Sequence, residues 1–318
     1  MRLVFPARIP YHRGMMEPIP TRRDAEILIL GAGPAGMLCA LTAARRGLRP
    51  VLVDQGRQTG RKLRASGGGR SNCTNRDATP GHYLCGDPRF TARALAQFPP
   101  ARFLSLLAEL GLRAHEEDHG RMFCDQGATA LCEALEKACR KAGCRFLLGR
   151  SVTALTAPWE PRPAVRDNAG EDAAARAGTA GLYTIHTDQG PLCAPKVVLA
   201  LGSPAWPALG GTDIVARLAG GLGLPHAPAR PALTPFELSG PALALCRELA
   251  GLSLTARVAL AEGGREYTDG LLFTHQGLSG PAALQISSHW RRGQELRVDL
   301  APEVDMSAKG RSCAATAP

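Results

Sequence analysis

The chain has 318 residues, enough for two domains at about 150 residues each, and its 45% hydrophobic and 21% charged residues are those of an ordinary globular protein. This composition excludes wholesale disorder, and 36 glycines are too few for a collagen repeat. No stretch of 18 consecutive apolar residues occurs, so no ordinary membrane span is expected and no membrane is expected as a partner. The formal charge is +10, yet the 38 basic residues include only five lysines, and the arginines are scattered in runs of at most two. Aromatics are 5%, too sparse for a stacking platform, so no nucleic acid is expected as a partner. Ten cysteines without a C-x-x-C pair read as buried thiols of a reduced, cytoplasmic protein, with no metal site.

Residues 1–24 read as an N-terminal extension without the apolar core of a signal peptide, and Met16 is an alternative start. Residues 27–30 form an apolar run without alternation, the pattern of a strand covered on both faces in a parallel sheet. Gly31-Ala32-Gly33-Pro34-Ala35-Gly36 follows, then a helix over 37–46 stopped by Gly47. A second apolar strand over 50–53 closes on Asp54, completing a βαβ unit. Residues 60–75 read as a glycine- and arginine-rich loop. Helices are expected over 89–97, 101–110 and 128–141, and a third parallel strand over 145–148. Residues 158–181 are rich in Pro, Ala, Arg and Gly and read as a mobile loop. Residues 183–187 alternate like an exposed antiparallel strand, and 196–201 return to an unbroken buried pattern. From about residue 229 the texture changes to short β-like segments over 256–261, 271–274 and 295–300. The reading is an α/β protein: a Rossmann-like domain over 25–228, a β-rich domain over 229–301 and a tail over 302–318.

Two motifs carry chemistry. In Gly31-x-Gly33-x-x-Gly36, the first glycine permits a tight turn, the second lets a pyrophosphate approach the backbone, and the third lets helix and strand pack closely. Pro34 costs nothing in the first helical turn, and with Ala35 it places the amides and the positive end of the helix dipole at the phosphates. Asp54, 23 residues after Gly31, suits hydrogen bonds from an adenosine ribose. The second motif is Gly60-Arg61-Lys62 followed by Ser66-Gly67-Gly68-Gly69-Arg70-Ser71-Asn72-Cys73-Thr74-Asn75. Its glycines leave the backbone bare, Arg61, Lys62 and Arg70 bring positive charge, and Asn72 and Asn75 suit a flavin ring edge. Three further residues are candidates for substrate contact: Arg121 for a carboxylate, and His275 as an acid/base with Ser279 near it. His115 and His119 sit among Glu116, Glu117 and Asp118 in what reads as a solvated turn rather than a metal site.

Together with residues 120–123, 197–202, 206–212 and 272–281, these motifs resemble the bacterial FAD-dependent oxidoreductases called aminoacetone-oxidase-like or BaiN-type flavoproteins. The resemblance runs from about residue 25 to 300 and implies a glutathione-reductase-like FAD domain with an inserted β-rich domain that covers the flavin. It implies FAD held by Gly31, Gly33, Gly36 and Asp54, with residues 66–75 near the flavin and pyrophosphate, Ala200 and Gly202 in a turn touching FAD, and the Val152 backbone at adenine. It further implies flavin-mediated transfer of electrons to a small-molecule substrate that the residues do not identify, with NAD(P)H a candidate donor and no side chain assigned as catalytic. The chain departs from the family at Ser71, where a cysteine is usual, and after Thr212, where a glycine beside Asp213 is missing. Nothing after Leu300 resembles the family's closing segment, so a C-terminally truncated chain is expected. Two other readings are a non-catalytic remnant of such an enzyme and a flavoprotein acting on RNA.

Overall fold

The computed structural model describes residues 23–158 and 181–303. The N-terminal extension, nearly all of the 158–181 loop and the tail lie outside the described residues. The chain divides into two compact units, 1–228 and 229–318.

The first unit opens with β1 (Ile27–Leu30), α1 (Pro34–Arg45) and β2 (Pro50–Asp54). A single helical turn, α2 (Arg61–Arg64), and β3 (Asn72–Asn75) come next, then α3 (Pro88–Gln97) and α4 (Pro100–Glu109). β4 (Ala114–Glu117), β5 (Arg121–Cys124) and α5 (Gly127–Lys141) lead into β6 (Arg145–Leu148). β7 (Val152–Thr156), β8 (Tyr183–Thr187), β9 (Leu192–Ala194), β10 (Val197–Leu199) and α6 (Ile214–Gly221) complete the unit.

β10, β1, β2 and β6 form a parallel sheet in that order. Successive side chains of a strand point to opposite faces, and here both faces are covered. Ile27, Ile29 and Leu52 pack with Met37, Ala40 and Leu41 of α1 and with Leu135 and Cys139 of α5. Leu28, Leu30, Val51 and Val53 pack on the other side with Ile185, Leu192 and Ala194 from the β7-β8-β9 sheet and with Ile214 and Leu218 of α6. This three-layer arrangement is why residues 27–30 and 50–53 are apolar without alternation. It also corrects the reading of 183–187. β8 is the central strand of its antiparallel sheet, and Ile185 is fully buried against the parallel one. The 196–201 run forms only three residues of strand, half-buried because β10 pairs with β1 alone. Residues 60–75 are not one loop. They fold into α2, a 3₁₀ turn (Ser66–Gly69) and β3, the last paired with β5 in the β3-β5-β4 sheet.

The second unit contains β11 (Phe236–Glu237), α7 (Gly240–Glu248), β12 (Ser253–Leu260), β13 (Glu266–Thr274), β14 (Gly277–Ser279), α8 (Pro281–Ser287) and β15 (Leu296–Asp299). Its antiparallel sheet has the order β11-β14-β13-β12-β15, and Ala256, Val258, Leu271 and Phe273 pack with Ile286 of α8 and Cys246 of α7. α7 was not read from the sequence, because its short apolar stretch lacks an extended period.

Candidate functional site

In an open parallel sheet the ligand crevice lies beyond the carboxyl ends of the strands. Here the segments following β1, β2 and β10 converge at that edge. The Gly31 amide donates to the Val53 carbonyl (2.7 Å) and the Ala200 amide to the Leu30 carbonyl (2.7 Å), which ties the three exits together. Gly31 has φ +112°, and a side chain there would overlap the Ala200 carbonyl. A Cβ at Gly36 would overlap the Gly31 carbonyl, so close packing of α1 on β1 requires glycine at both positions. Gly33 differs. Its backbone is extended (φ −77°, ψ −179°), and a Cβ there would meet no protein atom within 4 Å. Gly33 is the N-cap of α1, and no side chain caps that end.

A cleft of about 270 Å³ opens in front of this turn. Among the sequence candidates, Gly33, Pro34, Ala35, Asp54, Gly60, Arg61, Lys62, Ala200 and Gly202 line it, while Gly31 and Gly36 shape it from behind. Asp54 is committed on both oxygens. Oδ2 accepts the Ala32 N–H (2.8 Å) and Oδ1 accepts the Gly56 N–H (2.7 Å). An ionised carboxylate has about four acceptor sites, so capacity remains for a ribose hydroxyl. The Arg61 guanidinium approaches Asp54 Oδ1 at 3.9 Å. It also occupies the space that a side chain at Gly210 would fill, and Gln55 Nε2 donates to the Gly210 carbonyl (3.0 Å). Lys62 Nζ donates to the Ser203 carbonyl (2.9 Å). Leu201, within the turn of Ala200 and Gly202, completes the wall together with Gln55, Gln58, Ser203, Leu209 and Gly210, which were not singled out as site residues from sequence. The signal for Leu209 and Gly210 was present in the 206–212 stretch, but their nearness to Arg61 comes from tertiary packing. In that turn Trp206 has φ +57° and is 54% exposed, and its carbonyl accepts from Leu209 and Gly211.

The 66–75 segment lies outside the cleft lining. Gly67, Gly68 and Gly69 have φ between +57° and +89°. Ser71 also has positive φ (+63°), is fully buried, and its Oγ has no hydrogen-bond partner among the described residues. Asn72 is exposed on β3. The Asn75 amide serves its own turn, donating to the His119 carbonyl (2.7 Å) and accepting the Asp77 N–H (2.8 Å). Arg70 is likewise engaged, bonded to Glu117 (2.8 Å) and placed 4.5 Å from the Phe123 ring centroid. Arg121 Nε donates to the Asp118 carbonyl. Val152 is half-buried on β7 and its backbone pairs with Thr187. In the second unit, His275 is exposed in the β13–β14 turn, its carbonyl accepting from Arg247, and Ser279 is paired with Leu272.

His115 Nδ1 lies 2.8 Å from Asp125 Oδ1, and this hydrogen bond, with Glu117 nearby, raises its pKa above the usual histidine value. No group of three or more metal-ligating side chains forms among the described residues. Six of the nine described cysteines are buried, while Cys85 is exposed. Burial pushes the Cys139 thiol up to about 12, and its Sγ faces the Met37 carbonyl (3.2 Å). Burial also raises Cys132 and Cys144, and all three thiols belong to the core cluster that α1 and α5 form with the sheet.

The strand order, the glycine turn and the cleft at the strand exits define a Rossmann-type dinucleotide-binding protein. The family model described as the HI0933-like protein Rossmann domain matches residues 25–229, and that described as the HI0933-like protein barrel and H2TH domain matches residues 230–317. The chain belongs to the HI0933-like family, in keeping with the BaiN-type resemblance. It is 36% identical over 281 residues to the "Ribosomal RNA dihydrouridine synthase" of Escherichia coli (strain K12), covering 88% of this chain and 65% of that protein. It is 34% identical over 278 residues to the protein of the same name from Haemophilus influenzae, covering 87% and 65%. It is 29% identical over 292 residues to the "3-dehydro-bile acid delta(4,6)-reductase" of Clostridium scindens, covering 88% and 65%. The chain thus spans about 65% of the length of these curated relatives.

The two ribosomal RNA names overturn the expectation that no nucleic acid is a partner. That expectation rested on arginines scattered along the sequence, but a basic surface is assembled in space from residues distant in the chain. No helix among the described residues is long and apolar enough to cross a membrane.

Proposed function

We propose that the chain is part of an FAD-dependent oxidoreductase that reduces a carbon–carbon double bond of a uridine base in ribosomal RNA, with NAD(P)H as the electron donor. The observation that carries the cofactor reading is Gly33. No protein atom explains the absence of a side chain there, and the open space lies at the uncapped N-terminus of α1, where a diphosphate is favoured. The remaining residues fit the same group. Arg61 and Lys62 bring two cations to the cleft, and Asp54 retains acceptor capacity for the ribose.

When bound, FAD supplies two-electron transfer between the nicotinamide donor and the substrate. The chain's part is to bind and orient. The α1 amides and the two cations hold the diphosphate, and Asp54 fixes the glycine turn through Ala32 while accepting from the ribose. The substrate class rests on the ribosomal RNA relatives. The bile acid reductase name also denotes addition of hydrogen across carbon–carbon double bonds, so one chemistry serves all three names. The test incubates the flavin-loaded chain with NADPH and an unmodified ribosomal RNA transcript, followed by nucleoside mass spectrometry. Uridine heavier by two hydrogens is expected. A chain that holds flavin and oxidises NADPH but leaves every uridine unchanged would refute the RNA substrate.

A further inference from the structure

A second groove, of about 620 Å³, runs along the exposed side of α5 where it meets the segment after β2. Four cations line it: Arg57, Arg64, Lys137 and Arg140. Its two carboxylates are already matched, Glu133 to Arg64 (3.4 Å) and Glu136 to Arg140 (2.7 Å), and Glu136 also accepts the Thr59 hydroxyl (2.7 Å). Arg57 and Lys137 are exposed and have neither an ion pair nor a hydrogen bond among the described residues. The groove therefore presents two uncompensated positive charges.

Two further observations give this charge a direction. Gln58 lines both this groove and the dinucleotide cleft, so the two are neighbours. The groove reaches Leu148 at the end of β6, and a cleft of about 450 Å³ at the start of the same strand is lined by Arg23, Arg49 and Arg145 together with Asp24 and Glu26. There Glu26 is bonded to the Arg23 side chain and the Arg49 backbone, and the Arg49 and Arg145 guanidiniums have no ion pair among the described residues. Charge is also divided unevenly. The described residues of the first unit, 23–158 and 181–228, carry 22 Arg and Lys against 14 Asp and Glu, whereas residues 229–303 carry seven against eight, so a polyanion is drawn to the first unit.

We propose that the face formed by α5 and residues 57–59 is the RNA-docking surface, its cations taking successive backbone phosphates beside the dinucleotide cleft. The proposal rests on the ribosomal RNA reading above and names the surface that reading requires. Several phosphate contacts give binding that weakens steeply with salt, by about 0.7–0.9 in the logarithmic slope per phosphate.

The test measures fluorescence anisotropy of a labelled ribosomal RNA stem-loop with the full chain over a range of salt concentrations. The double variant Arg57→Gln with Lys137→Gln is expected to bind about tenfold more weakly at low salt, with a slope reduced by about 1.4–1.8 and flavin absorbance unchanged. A control, Arg89→Gln with Arg93→Gln on α3, removes the same charge elsewhere and is expected to shift affinity less than twofold. Equal losses in both variants would mean that net charge alone matters and would overturn the surface. Wild-type binding and uridine reduction with an unaffected Arg57/Lys137 variant would overturn the surface and leave the proposed function standing. A wild-type chain without RNA affinity or uridine reduction would overturn both.

Discussion

Gly31 and Gly36 stand where a side chain would strike backbone, while Gly68 and Gly69, 37 and 33 residues further on respectively, stand where it would strike nothing. The first turn is held by its neighbours: the Ala200 carbonyl, the Gly31 carbonyl and the Asp54 carboxylate each occupy a defined place against it. The second segment is shaped by backbone dihedrals, with φ +65° at Gly68 and +89° at Gly69. Gly36 thus serves packing alone, Gly68 and Gly69 serve conformation alone, and Gly31, at φ +112° against the Ala200 carbonyl, serves both. Gly33 belongs to neither class, since its φ is ordinary and its surroundings are open. Gly86 and Gly221 also face open space without a positive φ, so what marks Gly33 is its place at the N-cap of α1 in the wall of the cleft.

Three substitutions break or sharpen the contrast. Gly36→Val has the largest expected effect, because its side chain meets rigid backbone and α1 must lift from β1. A loss of about 3 kcal/mol or more is expected in denaturant unfolding, together with flavin retention. Gly68→Ala meets no atom but must adopt left-handed backbone, so it should cost about 1 kcal/mol and leave the fold unchanged by circular dichroism. Gly33→Ala should be the mildest for stability, about 0.5 kcal/mol, reflecting alanine's weaker N-cap preference. It should nevertheless weaken FAD binding at least tenfold in equilibrium titration, since the added methyl group enters the space assigned to the diphosphate. Unchanged FAD affinity in a folded Gly33→Ala chain would remove the support for that assignment.

Much of the first unit was legible. The unbroken apolar runs at 27–30 and 50–53 pointed to strands covered on both faces, and Gly31-x-Gly33-x-x-Gly36 with Asp54 marked the turn between them. Other features were not. Residues 183–187 alternate as an exposed strand would, yet Ile185 is buried because a whole sheet lies on that face. Asn75 has the donors and acceptors for a cofactor, and its own turn takes one of each, which the sequence did not show. Arg57, Arg64, Lys137 and Arg140 are separated by up to 83 positions and form a basic groove only when α5 packs beside the end of β2.

The amino-acid sequence by itself determined the strand–turn–helix unit and the glycines it needs, because hydrophobic period and backbone freedom are local properties. Tertiary structure alone decided which charges remain unpaired, which amides are spent and which glycine faces open space. Those depend on neighbours brought together by folding, and the electrostatic and hydrogen-bonding state of a group is set by what surrounds it rather than by where it stands in the chain.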